Sequence, residues 1–293
     1  MGVEQWAKLQ ADYDAESVDA NHLALLELAQ GANIHFAYLD FSFEGSFQIS
    51  DAGFHTTNTA EMRPLYQWEK IEFRKQRYAK GWDYLERIFL LLNSKKNIYT
   101  DWAGSSTYQI QKSNFLFSAK DFSKYRTIDG YATFTALKGA ITEVEDSYLK
   151  SALGAEFYDE LKAEVLADNV SADNLLLMHY IKEAVAHLSV YTAGEELQFT
   201  LTEKGLRVSS TETQSGNIAK DAAPADTQLA IVYERSKMKG QEALEQLRGY
   251  LNANATAVKY PLYFNSSLYP APGSETGGKY KNTDKSTFSK VWF

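Results

Sequence analysis

The sequence predicts a mainly α protein made of two tandem helical units, each with an inserted antiparallel β-hairpin, and an extended C-terminal arm. Three observations lead to this prediction. The chain repeats itself at a spacing of 152 residues, apolar side chains recur at helical spacing in both copies, and residues 261–293 show no such recurrence. We therefore divide the chain into a first, N-terminally incomplete copy at 1–127, a second copy at 128–260 and an arm at 261–293.

The repeat consists of identical residues at matching positions. At a spacing of 152 the matched pairs include Leu23 and Leu175, His35 and His187, Phe47 and Phe199, and Gly53 and Gly205. Toward the end of each copy the spacing becomes 159, with the pairs Gly81 and Gly240, Leu85 and Leu244, and Leu92 and Leu251. Because a turn glycine is matched as well as helical positions, we interpret the pattern as a duplication.

Copy two is predicted to begin with two helices. The first covers residues 155–167, and the second follows a cap at Ser171 or Asp173 and ends at Gly194. The buried positions of the second helix should be Leu177, Ile181, Val185 and Leu188. These spacings place one apolar face on each helix, as expected for a packed helical domain.

A hairpin and a long helix complete each copy. In copy two, alternating strands flank Gly205, with Glu203 and Lys204 in the turn, and a helix covers residues 225–252. In copy one, Asp51, Ala52 and Gly53 form the matching turn, and the last helix covers residues 63–93. The buried positions of the copy-two helix should be Leu229, Val232, Leu244, Leu247 and Leu251.

A further helix over residues 134–151 precedes copy two and has no match in copy one. Its apolar face should contain Leu137, Ile141, Val144 and Tyr148, and Gly154 follows as a C-terminal cap. Two explanations stay open. Either the native polypeptide continues upstream of copy one, or copy one takes this helix from a neighbour.

Composition excludes several classes of protein. The 30 basic and 38 acidic side chains give a net charge of -8, which repels phosphate backbones and argues against a dedicated DNA-binding protein. The chain has no cysteine, so disulfides and thiol nucleophiles are absent. The longest strongly apolar run, Ile88 to Leu92, is too short for a membrane span. We expect a soluble protein made in the cytoplasm, with no membrane partner.

No motif in the sequence supports an enzyme or a cofactor site. Residues 273–280 nearly fit a phosphate-binding loop, but Tyr280 replaces the Ser or Thr that would bind magnesium, and no strand or helix pattern flanks them. His179, Glu183 and His187 have metal-ligand spacing on a helix, yet only His187 is matched by histidine in copy one. We predict no catalytic residues, no cofactor and no metal.

Two groups of residues are candidates for contact with partners. Lys70, Arg74 and Arg77 share one helix face, which suits either solvent exposure or contact with an acidic protein or, incidentally, DNA. The arm ends in Val291, Trp292 and Phe293. An apolar tip on a polar arm is unfavourable in water, so it should dock on a neighbouring subunit or fold back onto its own chain.

The stretch from Ala140 to Leu161, with Tyr180 to Leu188 and Lys204-Gly205, resembles an uncharacterised family of Bacteroidetes phages and prophages. That family is similar in layout to small helical head-tail connector, or neck adaptor, proteins. The resemblance implies a subunit of the virion that forms a ring with itself, contacts portal or tail proteins and has no catalytic residues.

Two other hypotheses belong to different classes. One is a monomeric module of a Bacteroidetes cell that binds a carbohydrate or peptide through exposed aromatic residues such as Trp68, Trp82 and Trp102. It requires an aromatic-lined cleft within one chain. The other is a metal-dependent enzyme at His179, Glu183 and His187, which requires bound metal.

Overall fold

The computed structural model describes residues 2–44, 48–50, 53–55, 67–197, 199–202, 205–208 and 226–270, which are mainly helical as predicted. The elements up to residue 112 are α1 Val3–Asp14, α2 Ala20–Glu44, β1 Gln48–Ser50, β2 Gly53–His55, α3 Gln67–Ser94, α4 Thr100–Ala103 and α5 Ser106–Lys112. Those that follow are α6 Ala119–Phe122, α7 Gly130–Val144, a π turn Glu145–Leu149, α8 Lys150–Leu153, α9 Ala155–Leu166, α10 Ala172–Ala193, β3 Phe199–Thr202, β4 Gly205–Val208, α11 Asp226–Asn254 and α12 Pro261–Phe264.

The same elements occur twice, at the spacings found in the sequence. Helices α1 and α9 differ by 152 residues at both ends, α2 and α10 begin 152 residues apart, and α4 and α12 differ by 161 at both ends. We call residues 2–112 unit 1, residues 113–153 the connecting segment and residues 154–270 unit 2. Each unit has its own cluster of buried apolar side chains, and the connecting segment contributes to the cluster of unit 2.

Side-chain hydrogen bonds recur between the two units. Tyr99 Oη donates to Asn21 O at 2.9 Å, and Tyr260 Oη donates to Asp173 O at 2.8 Å. Trp102 Nε1 donates to Asn93 Oδ1 at 3.2 Å, and Tyr263 Oη donates to Asn252 Oδ1 at 2.7 Å. In unit 1 Asp12 pairs with His22, and at the matching positions of unit 2 Glu164 accepts a hydrogen bond from Asn174. These contacts join matching positions, so the two units are built alike.

Each unit is organised around one pair of long helices. In unit 1, α2 packs along α3, and in unit 2, α10 packs along α11. A Cβ built on Gly81 would lie 2.8 Å from the Phe36 ring, and one on Gly240 would lie 2.5 Å from Leu188 Cγ. The two glycines occupy matching positions, and so do Phe36 and Leu188. In both pairs a side chain of one helix therefore occupies the space beside the glycine of the other, and a larger residue there would require that side chain to shift.

Two pairs of short antiparallel strands lie between the long helices. β1 pairs with β2, with Ile49 opposite Phe54, and β3 pairs with β4, with Leu201 opposite Leu206. The predicted turn residues 51–52 and 203–204 lie outside the described residues. Strand β4 also contacts the connecting segment, because the Leu206 carbonyl accepts from Asp129 N at 2.7 Å.

Most helical predictions for unit 2 are confirmed. Ser171 caps α10 by accepting from Asn174 N, and Leu177, Ile181, Val185 and Leu188 are buried. On α11 the predicted core positions Leu247 and Leu251 are fully buried, whereas Leu229, Val232 and Leu244 are half-buried. On α3 the predicted start at residue 63 lies outside the described residues, and the helix ends at Ser94.

The predicted face of the helix before copy two is wrong at one position. Leu137, Ile141 and Val144 are buried as expected, but Tyr148 is exposed and Leu149 is buried instead. The cause is the π turn, which adds a residue to one helical turn and rotates the positions after it. The same turn buries Glu145.

Glu145 forms a buried polar cluster at this turn. Its carboxylate accepts from Phe115 N at 2.7 Å and from Asn114 Nδ2 at 3.3 Å, and it pairs with the Lys162 ammonium. Burial raises the pKa of Glu145 and lowers the pKa of Lys162, because a low-dielectric environment disfavours both charges. The cluster joins the start of the connecting segment to its end and to α9.

The prediction of an extended arm from residue 261 is wrong for residues 261–270. The backbone of Tyr260 is left-handed, with φ 58°, and Pro261 starts α12. Tyr263 is buried in the unit 2 core and occupies the position of Trp102 in unit 1. A helix of one turn is too short to show apolar periodicity, so the sequence pattern gave no sign of it. Residues 271–293, with Val291, Trp292 and Phe293, lie outside the described residues.

Units 1 and 2 contact each other at Asp168, just after the end of α9. Asp168, whose backbone is left-handed with φ 54°, pairs with Lys96 and Lys112 of unit 1 and accepts from Tyr108 Oη at 3.1 Å. Partial burial raises the pKa of Asp168, but hydrogen bonds from Lys112 and Lys96 outweigh this and hold it below its ordinary value. Lys112 Nζ also donates to Val165 O at 3.0 Å. Helix α3 packs against α7 on the other side of this junction.

The close approach of α10 and α11 gives a test with an internal control. Gly240→Ala should lower the free energy of unfolding by about 1–3 kcal/mol, because the new Cβ overlaps Leu188 in a packed core. Gly249→Ala, on the same helix with no atom within 4 Å of the new Cβ, should raise it by about 0.5–1 kcal/mol through helix propensity. Urea unfolding followed by circular dichroism measures both. Equal effects of the two substitutions would contradict the close approach.

Candidate functional site

Unit 1 exposes a group of large apolar side chains on α1 and α2. Trp6, Tyr13, Ile34, Tyr38 and Phe41 each have between 45% and 63% of their surface exposed. Trp6 and Tyr13 are seven residues apart on α1, and the other three follow spacings of four and three on α2, so each set lies along one helix face. We call these five side chains the open face. Aromatic residues of this kind are enriched at protein interfaces.

The matching positions of unit 2 are buried. At a spacing of 152 they are Tyr158, Val165, Ala186, Val190 and Ala193, and each is 9% exposed or less. Residues at the end of unit 1 and in the connecting segment cover these five positions. The Phe115 ring lies 5.8 Å from the Tyr158 ring, and α7 packs against α10. The same scaffold is therefore covered in unit 2 and open in unit 1.

Side-chain size follows this difference. Ala186, Val190 and Ala193 are small and permit close packing, whereas Ile34, Tyr38 and Phe41 are large and project outward. The aligned copies of the sequence show this difference in side-chain size, but the sequence analysis did not predict these residues as a site. Large exposed apolar side chains distinguish the open face from its covered counterpart in unit 2.

The segment that contains α1 is rich in acidic residues. Residues 3–19 contain five acids against one lysine. Glu16 has a left-handed backbone, with φ 51°, and matches Asp168, the residue that pairs with two lysines in unit 2. The α1 part of the open face therefore lies on an acidic segment, which favours basic residues in a partner at that part.

The predicted basic face is partly enclosed by its own unit. The Arg77 guanidinium lies 4.7 Å from the Phe73 ring centre and 5.1 Å from that of Tyr38, and its Nη1 is 3.3 Å from His35 Nδ1. Arg74 is half-buried, and the side chain of Lys70 lies outside the described residues. Contact of these residues with an acidic partner stays a prediction, and Arg77 is placed to hold Tyr38 at the margin of the open face.

The three residues with metal-ligand spacing do not converge. His179 is exposed, with Nε2 3.6 Å from Glu183 Oε2, whereas His187 is buried. In the described part of the chain no three His, Asp or Glu side chains are placed to hold a metal ion. The helices described here also include none that is long and apolar enough to cross a bilayer.

Two of the three tryptophans proposed for ligand binding, Trp82 and Trp102, pack against other residues of the protein. Trp102 is fully buried, and Trp82 is half-buried, 5.9 Å from the Tyr131 ring. The side chain of Trp68 lies outside the described residues. Aromatic rings were expected at a surface, but in both described cases their large apolar area is used in packing.

A groove of about 310 Å³ lies between α3 and the connecting segment. Its lining residues are Asp83, Glu86, Arg87, Leu90, Ala119, Lys120, Ser123, Ile128 and Gly130. Burial, followed by the charge of Asp83, raises the pKa of Glu86. This lining, as far as the structure describes it, contains no aromatic ring, so the groove does not match the cleft expected for an aromatic carbohydrate or peptide site.

His187 and His35 have similar surroundings, as the duplication requires. Burial lowers the pKa of His187 to about 4, with further lowering by the charges of Lys239 and Arg126. Burial also lowers the pKa of His35, with contributions from Arg77 and Lys80. Lys80 and Lys239 are matched residues, so each histidine faces the same position of the neighbouring helix.

The pKa of His187 predicts a loss of stability in mild acid. The unfolded chain binds a proton near pH 6.5 and the folded chain only near pH 4, so stability falls as the pH falls through this window. We expect a loss of about 2 kcal/mol between pH 7 and pH 5 that His187→Gln abolishes. His179→Gln, which removes an exposed imidazole, should leave the loss in place. An unchanged pH profile in His187→Gln would contradict the burial of a neutral imidazole.

A family model matches most of the chain. It is described as a family of unknown function, DUF6712, and it matches residues 4–112 and 149–273. No curated protein and no solved structure matches the chain. The two matched stretches correspond to units 1 and 2 and omit most of the connecting segment. The chain therefore belongs to the DUF6712 family, whose function is unknown.

Proposed function

We propose that this protein is a structural subunit of a phage virion, a head-tail connector or neck adaptor that works through contacts between copies of itself. One observation carries the proposal. Five large apolar side chains are exposed on unit 1 at positions whose counterparts on unit 2 are covered. A surface of this kind is unfavourable in water and favours association with another protein.

The phage assignment rests on the sequence resemblance to head-tail connectors. In this proposal the inserted antiparallel hairpins and residues 271–293, with the tip at Val291, Trp292 and Phe293, are additional contact elements. Portal and tail proteins are the expected partners, and the virion is the expected location. The connector role needs no catalytic residue, cofactor or metal.

A ligand-binding module is the weaker hypothesis. It required exposed tryptophans and an aromatic-lined cleft, but Trp82 and Trp102 pack inside the protein.

Removal of the apolar side chains on α2 should weaken self-association. We expect the wild-type chain to form oligomers in sedimentation and light-scattering experiments at high concentration, with or without its portal protein. The triple substitution Ile34→Ser, Tyr38→Ser and Phe41→Ser should raise the dissociation constant at least tenfold, or about 1.4 kcal/mol, because it removes apolar area buried on association.

Leu175→Ser with Leu176→Ser is the matched control. Both leucines are as exposed as the open face but lie elsewhere, on the first turn of α10, so their loss should leave association unchanged. A wild-type chain that stays monomeric at high concentration, and also when the portal protein is added, would refute the proposed function.

A further inference from the structure

The junction between unit 1 and unit 2 shows how a unit is covered. Tyr108 of α5 donates to Asp168, Lys112 donates to the carbonyl of Val165, and Phe115 packs against Tyr158. The connecting segment then continues along α10, where Asp121 pairs with Lys182 at 2.6 Å and α7 packs against the helix. The tail of one unit and the segment after it thus cover α9 and α10 of the next unit.

Unit 1 has the same receiving surface. Trp6, Tyr13 and Glu16 match Tyr158, Val165 and Asp168, and Glu16 shares the left-handed backbone of Asp168. These residues are exposed, so the described part of unit 2 does not cover them. The positions at which unit 2 receives unit 1 are therefore present on unit 1, where the described residues leave them exposed.

Part of the donating end recurs in unit 2, although Ala257 and Gly273 stand at the positions of Lys96 and Lys112, the two lysines that pair with Asp168. Helix α12 matches α4, Ser266 matches Ser105, and Tyr269 matches Tyr108 at a spacing of 161. Ser105 Oγ and Ser266 Oγ each donate to the carbonyl three residues earlier at 2.7 Å. Tyr269 packs against Tyr263 as Tyr108 packs against Trp102. Residues 271–293 then follow unit 2 in the same order as the connecting segment follows unit 1.

Charge and polarity agree with this correspondence. Residues 271–293 contain four lysines and two acids and end in Val-Trp-Phe, whereas residues 3–19 contain five acids and one lysine. A basic segment with an apolar end is complementary to exposed apolar side chains on an acidic segment. In the chain itself, lysines of unit 1 already pair with Asp168, the counterpart of Glu16.

We infer that residues 271–293 of one copy cover the open face of unit 1 in a second copy, by repeating between chains the junction that joins unit 1 to unit 2 within a chain. The inference rests on the proposed function and names the partner surface. The donor and receiver are different surfaces, so the contact is head-to-tail, and repeating it produces a ring or an open filament. Tyr269 and the lysines after it are expected near Glu16 of the second copy.

A mixing experiment tests the head-to-tail contact. One full-length variant lacks the receiver through Ile34→Ser, Tyr38→Ser and Phe41→Ser, and another lacks the donor through Trp292→Ser and Phe293→Ser. Each variant alone should be monomeric, because every contact needs one donor and one receiver. Mixed in equal amounts, they should form a heterodimer of twice the monomer mass, since one intact donor meets one intact receiver. The double variant Leu175→Ser, Leu176→Ser should assemble as the wild type does.

A cross-link gives a second measurement. Because the chain has no cysteine, Tyr13→Cys in one copy and Phe293→Cys in another can join only at the chosen positions. We expect at least a tenfold excess of cross-link between these copies over a pair carrying Phe293→Cys and Leu175→Cys.

The outcomes separate the inference from the proposed function. A wild-type chain that assembles while the two variants remain monomeric on mixing would refute the arm contact and leave the structural function standing. A cross-link that forms within one chain carrying both cysteines, and not between chains, would show that the arm covers its own unit and would also refute the inference. A wild-type chain that never assembles would refute both.

Discussion

The close approach of two long helices is the constraint on which each unit depends. At Gly81 and Gly240 a neighbouring helix occupies the space that a Cβ would need. Helix propensity alone would favour alanine at these positions by about 1 kcal/mol, so packing decides the residue. Because α2 packs on α3 as α10 packs on α11, matching side chains contact matching partners in the two units. Examples are Tyr99 and Tyr260, whose hydroxyls donate to the backbone carbonyls of Asn21 and Asp173.

Units 1 and 2 have the same helix scaffold but different neighbouring residues. In unit 2 the connecting segment supplies apolar cover, a strand contact at Leu206 and the charged cluster around Glu145. In unit 1 none of the described residues covers the five side chains of the open face. The difference resides in the neighbours of the scaffold, since the helix pairs themselves are alike. The two copies of a duplicated fold can thus keep the same core packing while their surfaces make different contacts.

The sequence predicts the interior better than the exterior. Periodicity identified the core positions of α10 because a helix of six turns repeats its apolar face several times, as Leu177, Ile181 and Val185 do. It missed α12 because one turn has no period, and it misplaced Tyr148 because a π turn changes the period. The open face was not predicted, because exposed and buried apolar residues have the same spacing on a helix. Only comparison of Ile34, Tyr38 and Phe41 with their small counterparts distinguishes them.

The junction at Asp168 has a geometric consequence. Three side chains of unit 1, those of Lys96, Lys112 and Tyr108, contact Asp168 and constrain the rotation and translation that carry unit 1 onto unit 2. If the same operation also relates unit 2 to the next chain, the curvature of an assembly is set inside a single polypeptide. The number of chains that close a circle then equals a full turn divided by twice that rotation, and a change in the Asp168 contacts would alter the circumference without touching any surface between chains.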